Sequence, residues 1–290
     1  MTGHPAPINA TIAVTGATGR LGGRVARRLA DAGIPQTLLV RDPARAPRLP
    51  NVTVRRASYA DRDAVRSALH GIDRVLMVSA SETPNRVDEH RAFVDAAAEA
   101  GVGHLVYISF FGAAPDATFT LARDHWATEE HIRASGLAHT FLRDNLYADF
   151  MPGLVGADGV IRGPAGQGRA AVVAQDDIAD AATAVLRDAN AHVGATYDLT
   201  GPAALTLDEV AHILSRALGR TITYQPETIE EAYRSRASYG APDWQLDAWV
   251  STYTAIAAGE LDGVTDHVPR LTGHPATPLE DVLRQQSAAG

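Results

Sequence analysis

The sequence predicts an α/β protein built on a doubly wound parallel sheet, with a smaller α+β lobe at its C-terminal end. Short apolar runs alternate with helix-spaced segments over the first half of the chain, as parallel strands and their crossover helices do. A glycine-rich turn separates the first apolar run from the first helix. Past Phe150 the alternation stops, and residues 152–168 are rich in glycine and proline. We therefore expect one domain at 1–150 and a lobe at 151–290 that packs on it.

The first strand, turn and helix form the most informative stretch of the chain. Residues 12–14 are apolar and predict a buried strand. Gly16, Gly19 and Gly22 follow with GxxGxxG spacing, and residues 24–30 have apolar positions at helix spacing. This is the order of a dinucleotide-binding (Rossmann) motif, whose glycines serve in turn for a tight turn, the approach of a pyrophosphate, and helix packing. The free N–H groups at the helix start would face the phosphates. The alternative is a glycine-rich turn without a ligand.

The end of the second strand indicates which dinucleotide is bound. Residues 37–40 are apolar enough for a strand, and Arg41 follows directly. At this position an acidic residue binds the ribose 2′-hydroxyl of NAD, whereas an arginine accommodates the 2′-phosphate of NADP. Asp42 precedes Pro43 and is typical of a turn. We therefore predict NADP (NADPH), bound by Arg41 with assistance from Arg45.

The remaining predicted strands of the first half end in small or polar residues. These strands are at 52–54, 75–78, 105–108 and 140–142. Because ligands bind at the carboxyl ends of parallel strands, the residues that follow are candidates for the site. They are Ser79, Ala80 and Ser81 after the fourth strand and Ser109 after the fifth. Tyr59 and Asp61 could border an adenine, although Asp61 equally suits a helix N-cap.

The second half gives weaker signals. We predict strands at 171–173, 196–199 and 221–224, and a helix that begins near Asp176 with an acidic first turn. Thr206 and Glu209 have the spacing of a capping box, which predicts another helix start. No long linker or repeat divides the chain.

Composition excludes several classes of chemistry. The chain has 290 residues, 46% apolar and 21% charged, as in ordinary globular proteins. Its net charge of -8 disfavours nucleic acids and anionic membranes as partners. Absence of cysteine excludes disulfides and thiolate nucleophiles. All 26 basic residues are arginine, which excludes a Walker A loop, a lysine Schiff base and a Tyr-x-x-x-Lys pair.

Two observations predict a cytoplasmic location. No apolar run approaches the ~20 residues of a membrane span. The first ten residues lack the basic and apolar regions of a secretory signal.

Several motifs together resemble the NmrA-like branch of the atypical short-chain dehydrogenase/reductases, and within it the bacterial NADPH-quinone oxidoreductases. The likeness covers nearly the whole chain and is most specific in the first half. The motifs that carry it are TGATGRLGG at 15–23, Arg41, the strand end at 107–109, the segments at 135–137 and 140–143, and those at 177–179 and 271–275.

This resemblance implies roles for particular residues. The pyrophosphate would lie on the glycine turn, the 2′-phosphate on Arg41, the cofactor ribose on the segment after the fourth strand, and the nicotinamide beside the residues after the sixth strand. The cofactor-binding candidates are Gly16, Thr18, Gly19, Arg20, Leu21, Gly22, Arg41, Ser79, Ala80, Ser81, Arg143 and Asn145. The chain departs from the family at Asp144, where proline or asparagine is usual, and at Glu130, which replaces a lysine common in the branch.

Reduction of a carbonyl or quinone oxygen needs a hydrogen-bond or proton donor as well as a hydride. Ser109, Tyr147 and His125 are the candidates for this catalytic role, with water as an alternative for a quinone. Ser109 equally suits a capping hydroxyl. His125 and Glu129 share a helix face, but no further ligands are spaced to join them, so we predict no metal.

Aromatic residues near the predicted site have two interpretations. They could wall a flat substrate, or they could pack in the core. They are Phe110, Phe111, Trp126 and Phe150.

The sequence therefore predicts an NADPH-dependent oxidoreductase that transfers a hydride to a quinone-like or carbonyl small molecule. We expect no nucleic-acid or membrane partner, and a homodimer is compatible with the chain. Two alternatives stay open at this point: a ketone or enone reductase of a biosynthetic pathway, and a non-catalytic regulator of NmrA type that senses NADP(H).

Overall fold

The computed structural model describes residues 10–289. The prediction about a secretory signal falls on residues that lie, apart from Ala10, outside this range. The strands are β1 (Ile12–Thr15), β2 (Gln36–Val40), β3 (Val52–Arg56), β4 (Arg74–Met77), β5 (His104–Phe110), β6 (Ala138–Asp144), β7 (Val160–Gly163), β8 (Arg169–Ala170), β9 (Thr196–Leu199), β10 (Leu205–Thr206) and β11 (Thr223–Pro226). The helices are α1 (Arg20–Asp31), α2 (Arg62–Leu69), α3 (Arg86–Glu99), α4 (Thr120–Ala134), α5 (Gln175–Arg187), α6 (Leu207–Leu218), α7 (Ile229–Arg236), α8 (Asp243–Ala257), α9 (His267–Thr272) and α10 (Leu279–Ala289).

Seven strands form one sheet in the order β3-β2-β1-β4-β5-β6-β9. The pairs of β1 with β2 and β4, of β2 with β3 and of β4 with β5 are parallel. Strand order reverses beside β1, which is the switch point where doubly wound sheets bind their ligands. The predicted α/β fold with a doubly wound parallel sheet is confirmed.

The chain divides into two compact units. Unit 1 contains the described residues up to Ile108, Thr128–Phe141 and Ala179–Thr196, and unit 2 contains Ser109–Ala127, Leu142–Ile178 and the residues from Tyr197 onward. The predicted single boundary between residues 150 and 151 does not describe this division. Each of the five crossings falls inside a helix or a strand, so no change of composition in the sequence marks it.

The core of unit 1 packs helices on the sheet. In α1, Val25, Ala26, Leu29 and Ala30 are buried, as their helix spacing predicted. Phe93 and Val94 of α3 belong to a cluster of buried apolar side chains from several strands. Unit 2 has its own cluster, to which α6, α8 and α10 contribute. Apolar burial therefore stabilises each unit separately.

Local signals in the sequence placed several helix starts correctly. Asp61 caps α2 by accepting a hydrogen bond from the Ala64 N–H at 3.0 Å. Thr206 and Glu209 form the predicted capping box at the start of α6.

Two predicted elements differ from the structure. The sequence predicts a helix from Asp124 to Ala134, whereas helix α4 begins four residues earlier, at Thr120. Residues 171–173 lie mostly outside a regular strand, because Ala171 and Val173 donate their N–H groups to Leu261 and Leu146 in separate segments. Within residues 10–289, no helix has the length and apolar character needed to span a bilayer.

Candidate cofactor and substrate sites

The glycine turn of unit 1 has the backbone of an anion-binding loop. Gly16 has a φ of +63°, a conformation that side chains disfavour. The Gly19 N–H donates to the Gly16 carbonyl at 2.9 Å, which closes the turn. Helix α1 begins directly afterwards with Gly19 as its N-cap, and a glycine has no side chain that could accept from the first N–H groups. The first N–H groups of a helix that lacks a capping side chain are suited to binding an anion.

Gly22 brings the helix close to the strand. A Cβ at this position would lie 2.5 Å from the Gly16 carbonyl oxygen and 2.6 Å from that of Thr15. Both are backbone atoms and could move only with the turn itself. This contact gives the third glycine of the motif the packing role that its spacing predicted.

A closed ring of hydrogen bonds fixes the strand ends beneath the turn. The Val78 N–H donates to Thr15 Oγ1 at 2.9 Å, and the Tyr59 hydroxyl donates to the Val78 carbonyl at 2.6 Å. Since the Tyr59 proton is thus engaged, Thr15 donates to Tyr59 across 2.5 Å. Burial raises the pKa of Tyr59, so the hydroxyl keeps its proton. The ring joins the end of β1 to the segments that follow β3 and β4.

A cleft of about 230 Å³ runs from the glycine turn to the end of β2. Among the predicted cofactor-binding residues, Gly16, Thr18, Arg41, Ser79, Ala80 and Ser81 line it. Arg41 is exposed and has no ion-pair partner in the described part of the chain, so its charge is available to a ligand. Asp42 instead accepts a hydrogen bond from the Ala44 N–H, the turn role expected for it. The residues present therefore fit a dinucleotide that carries a 2′-phosphate.

Four other predicted residues form the N-cap and first turn of α1 beside the cleft: Gly19, Arg20, Leu21 and Gly22. Thr18 and Arg20 flank Gly19 and are exposed, whereas the side chain of Leu21 is buried. Leu21 therefore offers a ligand only its backbone.

Two side chains of α3 hold Ala80, and sequence reasoning missed both. Arg86 Nε donates to the Ala80 carbonyl at 3.1 Å, and the Ala80 N–H donates to Nε2 of His90 at 2.9 Å. Arg86 and His90 are four residues apart on one helix face, shortly after the segment Ser79–Ser81. This spacing could have indicated that both side chains contact that segment.

His90 is held as a neutral imidazole. Because Nε2 accepts from Ala80, the ring proton is on Nδ1, which lies 2.9 Å from Thr128 Oγ1. Burial, reinforced by the charge of Arg86, lowers the pKa of His90 to about 3. The hydrogen bond from the Ala80 N–H to His90 is therefore maintained at neutral pH.

The other predicted site residues belong to unit 2. Tyr147 is half-buried, and its hydroxyl donates to Asp144 Oδ2 at 3.0 Å. This carboxylate occupies the position where the sequence departs from the family pattern. Arg143 is half-buried beside it in β6.

Three candidates in unit 2 are less exposed than residues that contact a ligand need to be. Ser109 and Asn145 are fully buried, and His125 is 6% exposed. Asn145 Nδ2 donates to the Leu261 carbonyl at 3.0 Å, an interaction that anchors a distant segment. The His125 ring packs 6.0 Å from that of Phe110. These observations suit structural roles, and the catalytic role of Ser109 and His125 stays a prediction.

The structure adds no third metal ligand to His125 and Glu129 among residues 10–289. Glu129 is fully buried and pairs with Arg133 at 3.1 Å. No group of three or more metal-binding side chains occurs among residues 10–289.

The sheet, its switch point and the glycine turn define a protein of the dinucleotide-binding class. The sequence pattern of the NmrA-like family matches residues 8–243, and the chain belongs to this family. Quinone oxidoreductase 2 of Escherichia coli (strain K12) is 34% identical over 278 residues, 93% of this chain and 96% of that protein. NAD(P)H azoreductase of Xenophilus azovorans is 34% identical over 286 residues, 96% of this chain and 98% of that protein. A crystal structure of the NADPH-dependent quinone oxidoreductase of Escherichia coli with NADPH has a TM-score of 0.87 at 33% identity, covering 95% of this chain and 99% of that one.

Proposed function

We propose that this protein is an NADPH-dependent oxidoreductase that transfers a hydride to a quinone-like or carbonyl-bearing small molecule. The observation that carries this proposal is the glycine turn opening into a cleft that Arg41 also lines. Relatives with the names quinone oxidoreductase and azoreductase, each matched over nearly its whole length, support the same conclusion.

Each part of the cleft has a role in holding the cofactor. The first N–H groups of α1 would bind the pyrophosphate, and Arg41 would bind the 2′-phosphate. Ala80, held by Arg86 and His90, keeps its segment in place along the cleft. When bound, NADPH supplies a hydride.

The reaction also requires one proton, because reduction of a quinone or carbonyl adds two hydrogen atoms and the hydride supplies only one of them. We propose that Tyr147 provides a hydrogen bond to the oxygen on which negative charge develops. The Tyr147 hydroxyl has one proton, which it donates to the buried carboxylate of Asp144 in this structure, so it turns from Asp144 to the acceptor oxygen when the acceptor is bound. Transfer of this proton to the acceptor completes the reduction, and water restores a proton to Tyr147.

Replacing Arg41 with alanine should remove most of the preference for NADPH over NADH. A charge-assisted hydrogen bond contributes about 1.5–3 kcal/mol, so we expect the unmodified protein to bind NADPH roughly tenfold or more tightly than NADH. Isothermal titration of both nucleotides measures the ratio. Arg220→Ala removes an exposed arginine of unit 2 and should leave the ratio unchanged. Equal affinities in the unmodified protein would contradict the role of Arg41.

Replacing Tyr147 with phenylalanine should lower kcat with little change in the dissociation constant of NADPH. Loss of one such donor costs about 2.7–4 kcal/mol in a dry site, which is roughly 100- to 1000-fold in rate, and less where water substitutes. Tyr239→Phe removes the hydroxyl of a tyrosine that is 73% exposed and should behave as the unmodified protein. Ser109→Ala should have a milder effect than Tyr147→Phe. A double variant that retains full turnover would remove both residues from the mechanism and favour water as the donor.

A turnover assay tests the proposed function directly. NADPH oxidation is followed with a panel of benzoquinones, naphthoquinones, azo dyes and ketones, and binding of NADPH and NADP⁺ is measured in parallel. Turnover with one of these acceptors supports the proposal. Tight binding that distinguishes NADPH from NADP⁺, without turnover of any acceptor, would instead identify a redox sensor. The cytoplasmic location and the homodimer stay predictions.

A further inference from the structure

Unit 2 contains an apolar cavity of about 190 Å³. One face of α8 forms a wall, with Trp249, Thr252, Tyr253 and Ile256 at helix spacing. Residues from β8, β10 and α6 and from the segments after β6 and β8 complete the lining. None of the described residues that line the cavity is charged.

Two hydroxyl groups of the lining are engaged within the protein. The Tyr147 hydroxyl donates to Asp144, and Thr252 Oγ1 donates to the Ala248 carbonyl at 3.0 Å. The cavity therefore offers mainly the apolar faces of its side chains.

Close packing on glycine backbones holds the α8 wall in place. A Cβ on Gly163 would collide with the Tyr253 ring, and a Cβ on Gly168 would collide with the Ile256 carbonyl. The guanidinium of Arg236 also lies over the Tyr253 ring, 4.9 Å from its centroid. The wall is thus fixed independently of any ligand, and the cavity is preformed.

A preformed apolar volume of this size points to an occupant. Protein interiors are packed so densely that voids larger than a water molecule are few. An apolar cavity of about 150 Å³ in another protein stays dry and takes up benzene. At about 190 Å³ this cavity has room for one six-membered ring with small substituents.

We propose that the cavity binds an uncharged aromatic or quinonoid ring of the acceptor. This inference rests on the proposed function, since it names the substrate class that the oxidoreductase takes. Tyr147, Phe150, Trp249 and Tyr253 provide aromatic faces and edges for such a ring. Phe150 is 45% exposed and its ring lies 5.3 Å from that of Tyr147, so it marks the opening. A carboxylate-bearing ring is excluded, because no cation offsets the loss of its hydration.

Toluene and benzoate are the probes for this cavity, because they share a ring and differ in charge. The unmodified protein without NADPH is titrated with each, while methyl NMR signals of Leu207 and Val210 are followed. We expect a saturable shift of both signals with toluene and none with benzoate at equal concentration. Absence of a saturable shift with toluene, or an equal response to benzoate, would overturn the inference. This measurement does not depend on the folding of any variant.

A pair of matched variants locates the binding. Val210→Phe fills the cavity and should weaken toluene binding at least tenfold, and it should raise the KM for a benzoquinone. Val193→Phe makes the same change at a side chain that is 57% exposed in unit 1 and should bind toluene normally. Unchanged toluene binding in folded Val210→Phe would contradict the assignment.

The outcomes also separate this inference from the proposed function. If toluene binds in the cavity but NADPH reduces no acceptor, the proposed function fails and the ring site stands. If NADPH is oxidised by quinones while the cavity signals do not move, the ring site fails and the function stands.

Discussion

Valine in place of Gly19 is expected to weaken NADPH binding by roughly 100-fold or more while the protein stays folded. Gly19 caps α1 with φ and ψ of -94° and 179°, which any residue can adopt. Its added Cβ would lie 3.2 Å from the Gly16 carbonyl oxygen, a contact that a small shift relieves. The methyl groups of valine would then cover the exposed start of α1 and keep a pyrophosphate from its N–H groups. Loss of two charge-assisted hydrogen bonds of at least about 1.5 kcal/mol each gives this factor.

Gly22→Ala provides the contrast, since its Cβ meets backbone atoms of Thr15 and Gly16. We expect this variant to lower the melting temperature, whereas Gly19→Val should melt near the unmodified protein. Gly153→Ala, where a Cβ would have no neighbour within 4 Å, is the neutral control. Calorimetric titration and thermal melts distinguish the three. Normal NADPH affinity in Gly19→Val would show that the turn does not hold the phosphates.

Acidification to pH 4.5 is expected to destabilise the protein by about 3 kcal/mol through His90 alone. Burial lowers its pKa from 6.5 to about 3, so the unfolded chain binds a proton in this range and the folded one does not. Stability is therefore full above pH 6.5 and falls by about 1.4 kcal/mol for each unit below it, until the pH nears 3. The groups around the ring favour the neutral form, because Arg86 repels a second charge and Ala80 donates to Nε2.

Urea unfolding at pH 7 and pH 4.5 measures this loss. His90→Gln keeps an acceptor for Ala80 but does not titrate, so its stability should depend less on pH by about 3 kcal/mol over this range. His212→Gln makes the same change at an exposed histidine and should follow the unmodified protein. His104, whose pKa burial lowers to about 4, adds to the acid sensitivity of all three proteins. If His90→Gln lost as much stability as the unmodified protein, the loss would have another source.

Short-range patterns in the sequence predicted most of unit 1. The glycine spacing located the turn, and the apolar positions of α1 identified its buried face. Thr206 predicted a helix start, and the helix cap was one of the two interpretations of Asp61, because a cap depends only on the next three residues. The family assignment came from the same motifs and is confirmed.

The sequence did not predict which polar residues would be buried or paired. Ser109 was expected to follow the fifth strand, as a ligand-binding residue would, yet it lies within β5 and its side chain is fully buried. The Asn145 amide bonds to a carbonyl 116 residues away. Such outcomes depend on which segments pack together, and no local pattern records them.

By itself the sequence determined the class of sheet, the turn that suits a pyrophosphate, and the arginine that favours a 2′-phosphate. These features depend on the order of neighbouring residues, which can be read directly from the sequence. Only the tertiary structure decided that Arg86 and His90 hold Ala80, and that Thr15, Tyr59 and Val78 form a closed ring. It alone placed one face of α8 along an apolar cavity rather than in a filled core. The physical reason is that burial and cavity shape depend on how segments distant in the sequence pack against one another. These contacts form only when the whole chain folds.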